Sequence, residues 1–271
     1  MDADLSEIIF KPIGVMRTGS KYKFEAPRQG VFSGSGGCIE LLPPYRGEAV
    51  ADLNGFDRIW VIFCFHHNLG TGWKSTVRPP LVPEPRRYSV FATRSPHRPN
   101  PIGISCVRLV KVASDRLWVD NVDILDGTPV LDIKPYIPQA DAFPDAAAGW
   151  RENLELKHEA WSITYAEQFL AQAAYAVQLG APDLVNFCEV QLRCNPLDRS
   201  RKRLFPVAAQ PQKMEIGCRT WRILFAYDDA AKHIEVLAMR SNYTGAELAP
   251  EAEDIYADKD IHRKFIEKFK A

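Results

Sequence analysis

The sequence has no excess of charge of either sign. Lysine plus arginine and aspartate plus glutamate number 34 each in 271 residues. A globally basic surface is therefore excluded, and any nucleic-acid contact must come from a local patch. There is no stretch of 18 apolar residues and no N-terminal apolar segment behind a basic start. Neither a membrane span nor a signal peptide is expected, and the expected compartment is the cytoplasm. The cysteines are Cys38, Cys64, Cys106, Cys188, Cys194 and Cys218. None stands in CxxC spacing and no Cys/His cluster has zinc-site spacing, so no metal is expected and the thiols read as reduced. The familiar nucleotide and hydrolase signatures are missing as well. There is no P-loop, no HExxH and no GxSxG elbow. No GxGxxG links a strand to a helix, so a Rossmann-type cofactor site is unsupported.

Proline, by contrast, is frequent: 20 occur, many of them between residues 79 and 144. The stretch Phe91-Ala-Thr-Arg-Ser-Pro-His-Arg-Pro-Asn-Pro-Ile-Gly103 packs Arg94, His97, Arg98 and Asn100 among Pro96, Pro99 and Pro101. Proline fixes φ and removes a backbone donor, and the residue before it is pushed towards extended geometry. Ser95, Arg98 and Asn100 are thus held in a stiff, non-helical track. Cationic and amide groups held still suit a site for an anionic or polar ligand. The competing reading is a surface loop whose arginines cap carbonyls.

The chain before residue 139 reads as short strands. Apolar or β-branched runs place them at about 8–17, 38–42, 58–65, 88–92, 104–112, 117–125 and 130–133. The run at 59–65 is continuous, as in a strand buried on both faces. About seven strands without a convincing long helix argue for a mainly β, closed or sandwich-like domain. Residues 70–87 form a long basic excursion with Trp73, Lys74, Arg78, Arg86 and Arg87. Four polar clusters fall at strand ends: 27–29, 66–67, 94–100 and 123–128. If the strands pair as expected, these clusters meet at one rim and line a pocket suited to a nucleotide-like cofactor.

Residues 139–153 read as an Ala/Asp/Pro-rich linker, and the character then changes. A strand at 160–165, helices at 167–179 and 182–194, and a hairpin at 218–226 and 233–239 are expected. The helical tail has Ile261, Phe265, Ile266 and Phe269 on one face. The expected division is a β-barrel domain at 1–150 followed by a smaller α+β domain at 151–271. Arg193, Arg199, Arg201, Lys202 and Arg203 make a local basic cluster in the second.

Four motifs in order resemble a known family. They are Ile13-Gly14-Val15 with Pro27-Arg28-Gln29, Trp60-Val-Ile-Phe-Cys-Phe-His66, the Phe91–Gly103 stretch, and Asp126-Gly-Thr-Pro-Val-Leu-Asp-Ile-Lys-Pro-Tyr136. Together they resemble the TsaA/TrmO family, also called YaeB-like, over roughly residues 8–145. The resemblance implies a single-sheet β-barrel methyltransferase domain that uses S-adenosylmethionine. The implied reaction is methylation of N6 of threonylcarbamoyladenosine beside the anticodon of threonine tRNA. It also implies a homodimer whose second subunit helps complete the site.

Carried over by position, the cofactor lies against Pro27, Arg28, Gln29, His66, His67, Arg94, Ile104, Asp123, Ile124, Leu125 and Asp126. Arg94 would pair with the methionine carboxylate, and an aspartate would hold a ribose hydroxyl or the amino group. His66, His97 and Tyr136 stay open as candidates for the proton-accepting residue. His67 departs from the glutamine common in the family. The C-terminal domain of such proteins helps hold tRNA, which makes Arg193, Arg199, Arg201, Lys202 and Arg203 RNA-binding candidates. Two other readings remain: a cofactor- or nucleotide-binding regulatory module without methyl transfer, and a methyltransferase acting on another substrate.

Overall fold

The continuous apolar run at 59–65 folds as a strand with one face inside. In β3 (Arg58–Cys64) Ile59, Val61 and Phe63 are buried, whereas Trp60, Ile62 and Cys64 are half-covered. The expected burial on both faces is corrected by closure of the sheet. A closed barrel has one interior, and alternate residues must face out. The computed structural model describes residues 8–23, 25–27, 29–32, 34–79, 86–152, 161–193, 196–199 and 202–270.

Two strands precede β3: β1 (Gly14–Thr18) and β2 (Gly36–Leu41). A small pair, β4 (Thr76–Val77) and β5 (Tyr88–Ser89), follows it outside the barrel. Then come β6 (Ile102–Val112), β7 (Arg116–Asp120) and β8 (Pro129–Pro135). The barrel order is β1-β2-β7-β6-β3-β8, closing back on β1, with every neighbour antiparallel. Met16, Ile39, Ile59, Val61, Val107, Leu117 and Val130 fill the interior with no exposed surface.

Several element boundaries differ from expectation. β1 begins at Gly14, because its partner β2 ends opposite at Leu41. Ile8, Ile9 and Phe10 before it are exposed. The strand expected over 117–125 stops at Asp120. Asn121 takes a left-handed φ of 59°, and residues 121–126 run along the rim instead. The strand expected over 88–92 ends at Ser89 and becomes a single 3-10 turn, Val90–Ala92. The expected linker is folded. In helix α1 (Pro138–Asp141) the Asp141 carboxylate accepts the Trp60 indole N–H at 3.0 Å. Trp150 stacks on Tyr88 at 4.3 Å and donates its indole N–H to the Ala92 carbonyl at 2.9 Å. The chain forms two compact units, Met1–Leu154 and Glu155–Ala271.

The second unit is built from β9 (Ser162–Tyr165), α2 (Glu167–Gln178), α3 (Leu184–Leu192), β10 (Leu204–Pro206), β11 (Lys213–Cys218), β12 (Trp221–Asp228), β13 (His233–Ser241) and α4 (Lys259–Phe269). Its sheet order is β10-β11-β12-β13-β9, with only the β13–β9 pair parallel. Gly180 ends α2 at φ 100°, the conformation a glycine C-cap supplies. Asp183 caps α3 by accepting the Asn186 N–H at 2.9 Å. The hairpin expected to open at Cys218 opens at Trp221, because Arg219 turns at φ 50° and leaves Cys218 on β11.

The tail helix α4 is anchored by a buried polar knot. His262 is fully buried and stacks on Trp221 at 3.8 Å. Its two ring nitrogens meet the Thr220 and Ser241 hydroxyls, each at 2.8 Å. Asp258 accepts from the Thr220 and Tyr243 hydroxyls at 2.7 and 2.8 Å. Replacing His262 removes both the stack and two buried hydrogen bonds. His262→Ala is expected to destabilise the second unit by about 3 kcal/mol, read as a lower urea midpoint by tryptophan fluorescence.

Candidate active site

One rim of the barrel opens into a cleft of about 730 Å³. Four segments wall it: the loop after β1, the end of β3, the proline-rich stretch leading into β6, and the rim segment 121–128. Its apolar floor depends on a missing side chain. Phe63 faces Gly103 across the β3–β6 pair. A Cβ on Gly103 would stand 2.3 Å from the Phe63 ring. Glycine there lets the ring lie flat over the strand, edge-on to Phe65 at 5.1 Å.

Asp123 is the fixed anion of the wall. Its carboxylate accepts the Ser105 hydroxyl at 2.5 Å and the Gly30 N–H at 3.0 Å. Gly30 can approach this closely because it has no Cβ; one would lie 1.8 Å from the Asn121 carbonyl oxygen. Burial pushes the Asp123 carboxyl above the usual aspartate range, and those two hydrogen bonds and the Arg94 charge pull against it. Arg94 lines the same cleft, is exposed, and has no hydrogen-bond partner among the described residues. Arg98, by contrast, donates to the Thr93 and Ser95 carbonyls at 3.2 and 3.3 Å. The two arginines of the stretch thus split: Arg98 caps carbonyls and Arg94 is available to a ligand.

The end of β3 brings imidazoles to the cleft. His66 and His67 lie ring against ring at 4.0 Å. Burial lowers the His66 pKa below the ordinary 6.5, helped by the charges of His67 and Lys23. Asn68 follows them and is buried. Its Oδ1 accepts from Lys23 Nζ and its amide N–H donates to His97 Nδ1, both at 3.3 Å. In this amide orientation the neutral His97 ring carries its proton on Nε2. Burial first, then Lys74 and Lys23, holds the His97 pKa down. Asn68 therefore ties three loops together.

Of the residues expected at the cofactor, Pro27, Gln29, His66, His67, Arg94, Ile104, Asp123, Ile124 and Leu125 line the cleft. Arg28 lies outside the described residues. Asp126 does not reach the cleft: its carboxylate accepts the Thr18 N–H at 3.1 Å and fastens the rim turn to β1. His97 stands behind Asn68 rather than in the wall. Tyr136 is misplaced as a candidate base. Its N–H donates to the Arg58 carbonyl and its ring packs on Trp60, at the end of β3 away from His66. A strand of seven residues separates those ends by about 20 Å.

In the second unit, Arg193 is paired with Glu189, and Lys202 Nζ donates to the Gln191 carbonyl at 2.6 Å. Arg203 donates to the Arg219 carbonyl at 3.0 Å. Arg199 is exposed, and Arg201 lies outside the described residues. The basic cluster is thus partly engaged with its own fold. Sequence reasoning missed Asn68, Ser105 and Lys23 as cleft residues. Ser105 was legible by parity, two residues beyond Gly103 on the inward face of β6. Asn68 was the next polar residue after the histidine pair.

Residues 15–142 match the family model described as the tRNA-methyltransferase O N-terminal domain. The tRNA (adenine(37)-N6)-methyltransferase of Escherichia coli K12 is 42% identical over 166 residues, which is 59% of this chain and 71% of that protein. The chain belongs to the TrmO family. A crystal structure of TrmO from Pseudomonas aeruginosa superposes with a TM-score of 0.64 at 31% identity, covering 89% of this chain and all of that one. A probable S-adenosyl-L-methionine-binding protein of Pyrococcus abyssi is 40% identical over 146 residues, 54% of this chain and 77% of that protein. The closed barrel without a Rossmann motif is thus a TrmO barrel. Among the described residues no group of three or more His, Cys, Asp or Glu side chains could hold a metal ion. No described helix is long and apolar enough to cross a membrane.

The raised Asp123 pKa carries a stability consequence. The native carboxyl binds its proton more tightly than the unfolded one, so stability falls as pH rises from about 3.8 through the native pKa. At neutral pH the buried charge is a net cost. Asp123→Asn keeps the shape, with the amide oxygen accepting from Gly30 and the amide N–H donating to Ser105. Its melting temperature at pH 7 is expected to equal or exceed that of the wild type, measured by calorimetry.

Proposed function

We propose that the rim cleft binds S-adenosylmethionine and that the chain methylates N6 of the adenosine at position 37 of tRNA. The finer substrate in this proposal is threonylcarbamoyladenosine in threonine tRNA, and the setting is the cytoplasm. The observation that carries the reading is the pairing of Arg94, without a hydrogen-bond partner among the described residues, with the fixed Asp123 across an apolar floor. A zwitterionic amino acid joined to a nucleoside needs such an arrangement. A cleft of about 730 Å³ falls in the size range of cofactor sites.

When bound, the cofactor supplies an electrophilic methyl group on a sulfonium. Arg94 then binds the methionine carboxylate through its guanidinium. Asp123 accepts from a ribose hydroxyl or the amino group while Ser105 and Gly30 hold it in place. Ile104, Ile124, Leu125 and Phe63 exclude water from the apolar wall. Neutral His66 places no positive charge in the cleft, and it is the imidazole this reading assigns to take the N6 proton. The remaining barrier is met by alignment of methyl and nitrogen. Phe91 and Val31 in these loops and Ile104 at the start of β6 are exposed apolar residues. Such a surface suits cover by a second copy of the chain, so the proposed working state is a homodimer with a shared site.

The decisive experiment supplies purified protein, labelled cofactor and threonine tRNA carrying the modified adenosine. Label is expected at N6. An unlabelled tRNA under conditions where a known TrmO works would sink the methyltransferase reading in favour of a binding module. Arg94→Ala is expected to weaken cofactor binding by about 2 kcal/mol, roughly thirty-fold, by calorimetric titration. Because the native His66 pKa lies below 6.5, methyl transfer should stay flat from about pH 8 down to 6.5 and fall below that. A profile unchanged in His66→Gln would remove His66 from the reaction.

A further inference from the structure

The sheet of the second unit carries a cationic cluster that its hydrophobic core does not use. Arg222 on β12 stands opposite Gly217 on β11 and Arg240 on β13. The absent side chain of Gly217 leaves a trough, and Arg222 lies in it. A Cβ at Gly217 would stand 2.5 Å from Arg222 Nη1 and 3.5 Å from Arg203 Cζ. Phe205 on β10 closes over the guanidinium, whose carbon lies 4.0 Å from the ring centroid. Arg222 is only 9% exposed, and its Nη1 is buried without a hydrogen-bond partner among the described residues.

The charges around Arg222 do not balance. Burial pushes its pKa down first, and Arg203 and Arg240 push it further while Glu215 opposes them. Glu215 is already engaged: both of its carboxylate oxygens accept from Arg240 at 2.8 Å. Among the described residues, three guanidinium groups therefore share one carboxylate. A buried cation among like charges is costly unless an anion completes it. A purely structural arginine would be expected to keep a carboxylate of its own.

We propose that this trough is the seat of an RNA phosphodiester, held by Arg222 and Arg203, with Phe205 as a stacking platform for the adjoining base. The fork of a guanidinium matches phosphate oxygens. An aromatic ring beside a cationic groove is the arrangement that takes single-stranded nucleotides. Phe205 is 38% exposed, so its outer side is open to a base. The proposal rests on the tRNA reading of the barrel cleft and assigns a different part of the chain to the same substrate. It also relocates the RNA contact from Arg193 and Lys202, which are engaged with Glu189 and Gln191, to the trough between β10 and β12.

The test uses the full chain and fluorescently labelled threonine tRNA over a salt series, with methyl transfer and cofactor affinity measured on the same preparations. Arg222→Met keeps the length and the contact with Phe205 but removes the charge. Its tRNA affinity should drop about ten-fold and its salt slope should become shallower by about one. Its cofactor affinity should not move, its tRNA KM should rise, and its melting temperature should be no lower than that of the wild type. Arg222→Lys should recover part of the affinity. Phe205→Ala should lose affinity without a change in slope. An unchanged affinity and slope in Arg222→Met, in a preparation that methylates tRNA, overturns the phosphate seat alone. A lowered melting temperature with unchanged tRNA affinity does the same and makes Arg222 structural. A wild-type protein that binds cofactor but neither binds nor methylates tRNA sinks the reading of the cleft, and this proposal with it.

Discussion

Two residue pairs, Gly14 with Val130 and Val15 with Pro129, close the six-stranded sheet into a barrel. The rest of the first unit depends on that short seam. Closure removes the sheet edges and sorts every strand into an inner and an outer side. It also decides which strand ends share a rim. Pro27 and Gln29, His66 and His67, Arg94 and Ser105, and Asp123 to Leu125 are far apart in the chain, yet closure sets them around one cleft. Two glycines complete the arrangement at positions where a Cβ would collide: Gly30 against the Asn121 carbonyl, and Gly103 against the Phe63 ring.

Stability and the proposed chemistry pull in opposite directions at this rim. Asp123 is held ionisable in a place that disfavours its charge, fastened by Ser105 and the Gly30 N–H. Arg94 contributes a field that eases that charge and keeps its hydrogen-bonding capacity for a ligand. The prolines around it have a physical role in this picture. They stiffen the track so that one arginine spends its donors on carbonyls while the other faces the cleft. His66 at the end of β3 and His97 behind Asn68 are both held with lowered pKa values by the same partial burial.

The second unit resolves its buried polar groups in two contrasting ways. Around His262 every partner is supplied from within: Thr220, Ser241, Asp258 and Tyr243 form a closed set of hydrogen bonds under the tail helix. Around Arg222 the set is open among the described residues, with an Nη1 that has no partner and an excess of guanidinium groups. A closed set holds a helix to a sheet. An open one points to something from outside.

The sequence by itself determined the strand-rich first half, the change of character near residue 150, the family, and the polar type of several residues that line the cleft. These are local properties: alternation, turn chemistry, and motifs whose residue types carry their own constraints. The strands at 58–65 and 104–112 and the helices at 167–179 and 182–194 were legible because their hydrophobic pattern and caps agree. Only the tertiary structure decided how the parts meet. Whether residues 59–65 were buried on one face or two depended on closure. Tyr136 and Asp126 sit inside a family motif but outside the cleft wall: Asp126 turns to the Thr18 N–H, and Tyr136 follows the far end of β8, beside Arg58. Asn68 became a hub only once Lys23 and His97 were brought beside it. Arg222 is an ordinary strand arginine in the sequence; its isolation comes from Gly217, Phe205 and Arg203 on neighbouring strands. Pattern along a chain fixes which face a residue takes, and pairing between strands fixes what it meets there.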